Sequence, residues 1–449
     1  MGAQRAHSQV DPARLRALDL RVDEAKAVLD ANWTGRATIP APGLYPHQWN
    51  WDTGFIAIGR SRYAEVRAQT EMLSLFDAQW RNGKLPSIAF SPEVASDAYF
   101  PGPDFWRSRE SPDAPRAVAT TGITQPPVHA IAALEMHRHA DDADRSEAFL
   151  RLLFPGLVAL HRYLRDHRST DRGLAWFLHP WESGLDNSPA WDEAFARVDV
   201  PSGAVSPYRR RDLRDCDARD RPTDEDYDRY VHLAMLYRDT GYDDARIVET
   251  TPFLVEDPMF NSIWAWSADA LGEIAEIIGE DRLEFAEDAA HIVDGIEAGL
   301  WSSHHRWAFP NDLRSGSRMS HRSVVSVMPM IAPGIDAAIV DRIVEVIHAV
   351  RRKEGGHRFV IPTEGPRSQS FSPRRYWRGP VWANTNWLLQ RGARAAGEFD
   401  LSDDLRDSTL DMVIEHGFRE YFDPTGSAAY GARNFSWTAA LFLDLVLGT

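Results

Sequence analysis

The 449 residues contain a single cysteine, Cys216. This excludes an intrachain disulfide and a cysteine-built zinc cage, and it suits a reducing compartment. Long apolar runs are missing. No stretch approaches the roughly 20 residues that a bilayer-spanning helix needs, and the opening MGAQRAHSQVDPARL has no apolar core of a secretory leader. Ala6 stands where a myristoylation signal needs Ser or Thr. A basic surplus is absent too: 50 Lys and Arg against 66 Asp and Glu leave a formal charge of -16. Such a field repels nucleic acid and anionic membranes, so neither is expected as a partner. It does not exclude an anionic small substrate, because a local arginine cluster overrides the mean field. No P-loop, GxGxxG, GxSxG, HExxH or EF-hand is present. The histidines are scattered, and the pairs in HRH (137–139) and at His304-His305 read as surface residues. No metal and no cofactor is expected. Without a low-complexity linker, a charge block or a crisp repeat, residues 1–449 read as one domain. The expectation is a soluble, cytoplasmic protein acting on a small molecule. Its oligomeric state, homo-oligomer included, is not written in the sequence.

What the chain does have is helical periodicity. Amphipathic stretches cover 11–30, 64–80, 128–140, 145–166, 224–240, 261–279, 283–300, 335–352, 380–395, 403–416 and 435–447. They fall into two kinds. One kind starts from aromatic, Gly- or Pro-rich loops, with Asp52, Val128, Asp226, Asn261, Pro380 and Phe435 opening such helices. The other is more evenly charged: 64–80, 145–166, 283–300, 335–352 and 403–416. Six apolar inner helices alternating with amphipathic outer ones would close into a helical toroid, the all-α (α/α)6 barrel. An open α-solenoid of helix pairs reads much the same, but lacks the repeat of fixed period that it should show. Long loops at 81–108, 195–224, 302–322 and 353–376 would cap the toroid, with 81–108 and 195–224 acting as lids.

Sixteen tryptophans are unusual. Many stand beside Gly, Pro, Asn or Asp, as in HQWNWDTG, AQWRNG, HPWESG and RYWRGPVWANTNW. They fit core packing, or flat walls for the apolar faces of a pyranose with polar neighbours for its hydroxyls. The stretch WESGLDNSP (181–189) puts Trp181, Glu182, Asp186 and Asn187 into one turn-like segment. Glycosidic hydrolysis needs two carboxyls, one to protonate the leaving oxygen and one to activate water or attack the sugar. Gly184 and Pro189 favour a turn that projects Asp186 into a cavity, unless it only closes an Asx-turn or caps a helix; Glu182 is its rival. Glu420 in FREYFDPTG has aromatic neighbours that desolvate it, or it pairs with Arg419 on the surface; Asp423 is a weaker rival. Asp52 in HQWNWD either caps a helix or accepts hydrogen bonds from sugar hydroxyls. In YRRRDLRDCDARDRPTDEDY (208–227) most arginines should pair with neighbouring aspartates, and one or two facing a cavity would bind a carboxylate.

Taken together, LYPHQWNWDTGF, AQWRNGKLPSIAF, DAYFPGP, GITQPPVHA, HPWESGLDNSPAWD, RPTDEDYDRY, YWRGPVWANTNWLL and FREYFDPTG…FSWTAAL resemble the glucosylglycerate and mannosylglycerate hydrolases of glycoside hydrolase family 63. These segments run in order from about residue 44 to 443, nearly the whole chain. ESGLDNSP is also similar to the general-acid loop of trehalases. The resemblance implies an (α/α)6 barrel capped by loops, and inverting hydrolysis of an α-glycoside of D-glycerate. It places the general acid at Asp186 and the general base at Glu420. Tyr45, Trp49, Trp51, Asp52, Trp377 and Trp382 would line the sugar subsite, with Trp181 beside them among the substrate-binding residues. Tyr99, Gln125, Arg221, Tyr227 and Tyr376 would surround the glycerate. The acid- and arginine-rich RDLRDCDARDR stretch and the loop at 302–322 depart from the family pattern, which bears on the acceptor. Glucose against mannose is not decided by the sequence. A trehalase-like hydrolase with a neutral acceptor pocket is the runner-up, with Arg221 against it. An isomerase relying on histidine bases and a non-catalytic α-solenoid scaffold are further alternatives.

Overall fold

In a computed structural model, residues 11–213, 217–353 and 361–448 are described. Cys216, the first ten residues with Ala6, and part of the loop at 353–376 lie outside them. Twelve helices matter here: α1 Pro12–Ala31, α2 Asn50–Phe76, α3 His129–Arg138, α4 Ala143–His167, α5 Asp224–Asp239, α6 Asp244–Thr250, α7 Pro258–Ile278, α8 Leu283–Gly295, α9 Ala337–Lys353, α10 Ala383–Ala395, α11 Phe399–His416 and α12 Ser436–Leu447.

Six segments form a closed ring. α2 packs on α3, α3 on α7, α7 on the 3-10 segment Val324–Ile331, that segment on α10, α10 on α12, and α12 back on α2. The outer layer is set by one-sided apolar stripes. α4, for example, buries Phe149, Leu150, Leu153, Leu157, Leu160 and Leu164, all on one face, and packs on α3 and α7. α8 backs α7, α9 backs Val324–Ile331, α11 backs α10 and α12, and α1 lies against α12. The inner segments are buried nearly all round, as in α2 from Asn50 to Arg60 and α12 from Ser436 to Leu445. This is the (α/α)6 barrel expected from the sequence.

Two expectations change. The helix opened by Asp226, α5, is not in the ring; its buried residues Tyr227, Tyr230, Leu233 and Tyr237 face the loop end instead. Its place is taken by VVSVMPMI (324–331), every residue of which is buried. Pro329 inside it has no N–H to give, which favours the tighter turn over a regular helix. The stretch 64–80 is not a separate outer helix either. It continues α2 to Phe76 past a kink at Ala64, where φ is -145°.

Among the described residues β-structure is limited to short pieces. A four-stranded sheet joins Trp176–Phe177, Val255–Glu256, Asn311–Asp312 and Ser317–Arg318, so part of the unmatched 302–322 loop is its edge. The hairpin Arg419–Phe422 with Ala429–Arg433 leads into α12. Among the described residues no helix is long and apolar enough to cross a membrane.

Candidate active site

A concave, aromatic-lined cavity opens at the end of the ring where α2, α10 and α12 begin, the kind of surface that holds small molecules. Tyr45, Trp49, Trp51, Asp52, Tyr99, Gln125, Trp181, Asp186, Tyr376, Trp377, Trp382 and Glu420 line it. Every residue anticipated from the sequence is therefore on its wall except Arg221 and Tyr227.

The stretch WESGLDNSP gives each of its polar residues a different task. Pro180–Ser183 forms a 3-10 turn that ends at Gly184, with φ +76°. A Cβ there would lie 2.5 Å from the Trp51 ring, so only glycine lets the turn press against that wall. The backbone carbonyl of Asp186 is pinned by the Tyr230 hydroxyl and the Trp191 indole N–H, both at 3.2 Å. Its side chain is left at the cavity. Asn187 accepts the N–H of Trp377 at 3.0 Å, tying the turn to the opposite wall. Glu182, the rival acid, is wholly buried and paired with Arg168 at 2.6 Å. It is no part of the cavity wall.

Glu420 owes its position to two backbone alignments. Val381 and Phe422 exchange hydrogen bonds at 2.9 and 3.0 Å, which stacks Trp382 on Tyr421 at 4.9 Å. Ala432, across the hairpin, donates its N–H to Glu420 Oε2 at 2.8 Å. The carboxylate also accepts from the Tyr45 hydroxyl at 2.8 Å and Arg221 Nη2 at 2.9 Å. Asp423 is spent on the hairpin turn, accepting from Thr425 N at 2.8 Å. A Cβ at Gly431 (φ +67°) would stand 2.3 Å from Glu420 Oε2. Gly431→Ala is expected to displace this carboxylate and lower kcat by about 10- to 100-fold, while the folded fraction by circular dichroism stays near wild type. An unchanged kcat would mean that Glu420 need not be held so tightly.

Burial acts on two acids of the cavity wall. Burial pushes the Asp186 carboxyl up to about 8, against the downward pull of Arg221 and with a further upward push from Glu420. Burial raises Asp52 well above the usual range as well, and repulsion from Glu420 and Asp186 adds to it. Asp52 does not cap α2; the N-cap is Trp49, and Asp52 sits in the first turn facing the cavity.

Arg221 and Tyr227, expected beside the acceptor, stand next to the cavity wall and are not among its lining residues. The Arg221 guanidinium stands behind the wall, on Glu420, on the Tyr45 hydroxyl at 3.0 Å and over the Tyr376 ring at 4.4 Å. A buried cation needs a carboxylate, and here the nearest one is protein. Tyr227 donates to the Phe100 carbonyl at 3.0 Å, and its ring packs near Trp181. Two further arginines of this stretch pair with aspartates as foreseen: Arg210 with Asp224 at 3.0 Å, and Arg219 with Asp217 at 2.6 Å. Tyr376 adopts φ +40°, a left-handed conformation that costs a bulky residue strain.

The loops at 81–108 and 195–224 meet each other. Phe100 stacks on Tyr208 at 4.7 Å, and Arg211 pairs with Asp97 at 3.0 Å. Reading the sequence alone missed Trp437, Phe435, Trp106 and Ser87, which also line the cavity. Only the aromatic density of FSWT and PDFW hinted at three of them. Among the described residues no group of three or more His, Cys, Asp or Glu is placed to hold a metal ion.

A family model described as the mannosylglycerate hydrolase MGH1-like glycoside hydrolase domain matches residues 45–438. Mannosylglycerate hydrolase of Rubrobacter radiotolerans is 42% identical to this chain, over 97% of it and 99% of the relative. Glucosylglycerate hydrolase of Mycolicibacterium hassiacum is 36% identical, over 94% of this chain and 96% of the relative. Among solved structures, the family 63 mannosylglycerate hydrolase of Thermus thermophilus, in complex with Tris and D-glycerate, superposes with a TM-score of 0.87 at 39% identity. That superposition covers 94% of this chain and 99% of the other.

Proposed function

The chain belongs to the mannosylglycerate hydrolase MGH1-like glycoside hydrolases of family 63, and on that premise we propose that it hydrolyses an α-glycoside of D-glycerate, glucosylglycerate or mannosylglycerate, with inversion at the anomeric carbon. The observation that carries this reading is the unequal treatment of two carboxyls in one aromatic cavity. Asp186 is held at about 8 by burial, so it still carries a proton at neutral pH. Glu420 is bonded to Arg221, Tyr45 and the Ala432 N–H. That division fits an acid and a base.

In this mechanism Trp49, Trp51, Trp377 and Trp382 provide flat walls for the pyranose, and Asp52 meets a sugar hydroxyl. Asp186 gives its proton to the glycosidic oxygen. Glu420 takes a proton from a water that attacks the anomeric carbon on the opposite face. Tyr99, Gln125, Trp181 and Tyr376 surround the acceptor. Arg221, one layer behind, adds a positive field that favours an anionic glycerate over a neutral group. The loops at 81–108 and 195–224 close the cavity around that acceptor, and the whole chain works as one unit.

The test is a proton NMR time course with α-glucosylglycerate and, in parallel, α-mannosylglycerate. First release of the β-anomer is the expected result, and the faster substrate identifies the sugar. First release of the α-anomer would overturn inversion. Turnover of trehalose but of neither glycerate glycoside would overturn the acceptor.

A further inference from the structure

Beneath the cavity floor lies a second set of charges that the reaction does not use. Glu182, Arg168, Asp244 and Lys84 come from four separate parts of the chain, and all are buried. Both Glu182 oxygens are occupied. Oε1 accepts from Arg168 Nη2 at 2.6 Å and from the Thr124 N–H at 3.2 Å. Oε2 accepts from the Leu178 N–H at 2.9 Å and from Arg168 Nη1 at 3.3 Å. Arg168 passes the connection on, with its Nε 2.8 Å from Asp244 Oδ1. Asp244 in turn accepts the Tyr237 hydroxyl, and Lys84 Nζ donates to that same hydroxyl at 3.0 Å. Two cations and two carboxylates balance, as charges withdrawn from water must.

The geometry ties this quartet to the wall above. Glu182 precedes Asp186 by four residues in the same turn. Thr124 precedes Gln125, whose Oε1 faces the Trp51 N–H at 3.4 Å. Leu85, next to Lys84, accepts from Thr124 Oγ1 at 2.8 Å and from Asn50 Nδ2 at 3.2 Å. The acid turn, the Gln125 segment and the start of α2 are therefore held by one buried set of bonds. A loop alone would not fix a proton donor to the few tenths of an ångström that proton transfer needs.

We propose that Glu182, backed by Arg168, Asp244 and Lys84, is the positioning residue that aims Asp186 at the leaving oxygen. It touches no substrate, and its effect is confined to the proton-donating step. This inference rests on the hydrolase reading above.

The experiment compares two substrates that differ in how much they need that proton: the glycerate α-glycoside and the α-fluoride of the same sugar. Fluoride departs with little help from an acid, whereas a glycerate oxygen does not. In Glu182→Gln, hydrolysis of the glycoside should fall by about 10²-fold while the fluoride stays within about 5-fold of wild type. Asp186→Asn gives the reference pattern. A purely structural role for Glu182 would lower both substrates together, and that result, or no loss on either, overturns the proposal. If Glu182→Gln does not fold, Glu182→Gln/Lys84→Met restores the charge balance and carries the same expectation. Wild-type protein that splits the fluoride but neither glycerate glycoside would count against the substrate assignment alone. Trehalose then serves as the glycoside with the poor leaving group.

Discussion

Asp186→Asn should lose about 10²- to 10⁴-fold in kcat on the natural glycoside, with KM nearly unchanged. Asparagine fits the same space, but it has no proton to give to the leaving oxygen. The wild-type enzyme should show the same dependence as a pH effect. Because burial holds the Asp186 carboxyl at about 8, activity should fall as pH rises through that value. The linkage to stability has a definite sign. The folded state binds this proton more tightly than the unfolded chain does, so its contribution is fully present below the ordinary carboxylate range and is lost as pH climbs from about 4 to about 8. Asparagine does not titrate. Asp186→Asn should therefore gain stability relative to wild type between about pH 5 and pH 8, seen as a widening gap in thermal midpoint. A gap that stays constant or narrows would mean that Asp186 is not the carboxyl held protonated.

Glu420→Gln should lose activity on the same scale, about 10²- to 10⁴-fold, for lack of a base to take the water's proton. Its effect on stability should be the reverse. Glu420 and Arg221 have side chains only 1% and 2% exposed and lie 2.9 Å apart. Glutamine takes away the negative charge that Glu420 sets against Arg221, and breaking a buried pair in this way costs roughly 3–5 kcal/mol. Denaturant unfolding should report that loss. Glu420→Gln/Arg221→Met should recover much of it and remain inactive. A Glu420→Gln protein as stable as wild type would show that the pair contributes little to holding the barrel.

Much of this is legible in the sequence, for physical reasons. The stripes that make α4, α8 and α11 amphipathic follow directly from helix periodicity, and so does their outer position. The loops leading into the inner helices carry the Trp and carboxyl residues, which is why the cavity lies at that end of the ring. Val324–Ile331 escapes because a short apolar run with an internal proline has no helical period to detect, although burial alone qualifies it for the ring. Arg221 stands out in the sequence as an unusual cation, yet its bond to Glu420, 199 positions away, is not a local property. Glu182 reads from the sequence only as a rival acid. Nothing in WESGLDNSP tells which of two carboxyls turns inward to Arg168 and which faces the cavity; that choice is made by Thr124, Leu178 and Asp244, all outside the motif.

The ring closes where α12 meets α2, and this has a consequence for synthesis. Trp437, at the start of α12, packs its ring on Trp51 at 5.4 Å, and Glu420 arrives only with the hairpin just before it. A nascent chain that has emerged as far as α11 already contains Asp186, Asp52 and most of the tryptophans, but it has neither Glu420 nor the last wall. It exposes the bare flank of α2 until the final segment docks. Turnover is thus expected only from the finished ring, and fragments released early should show none.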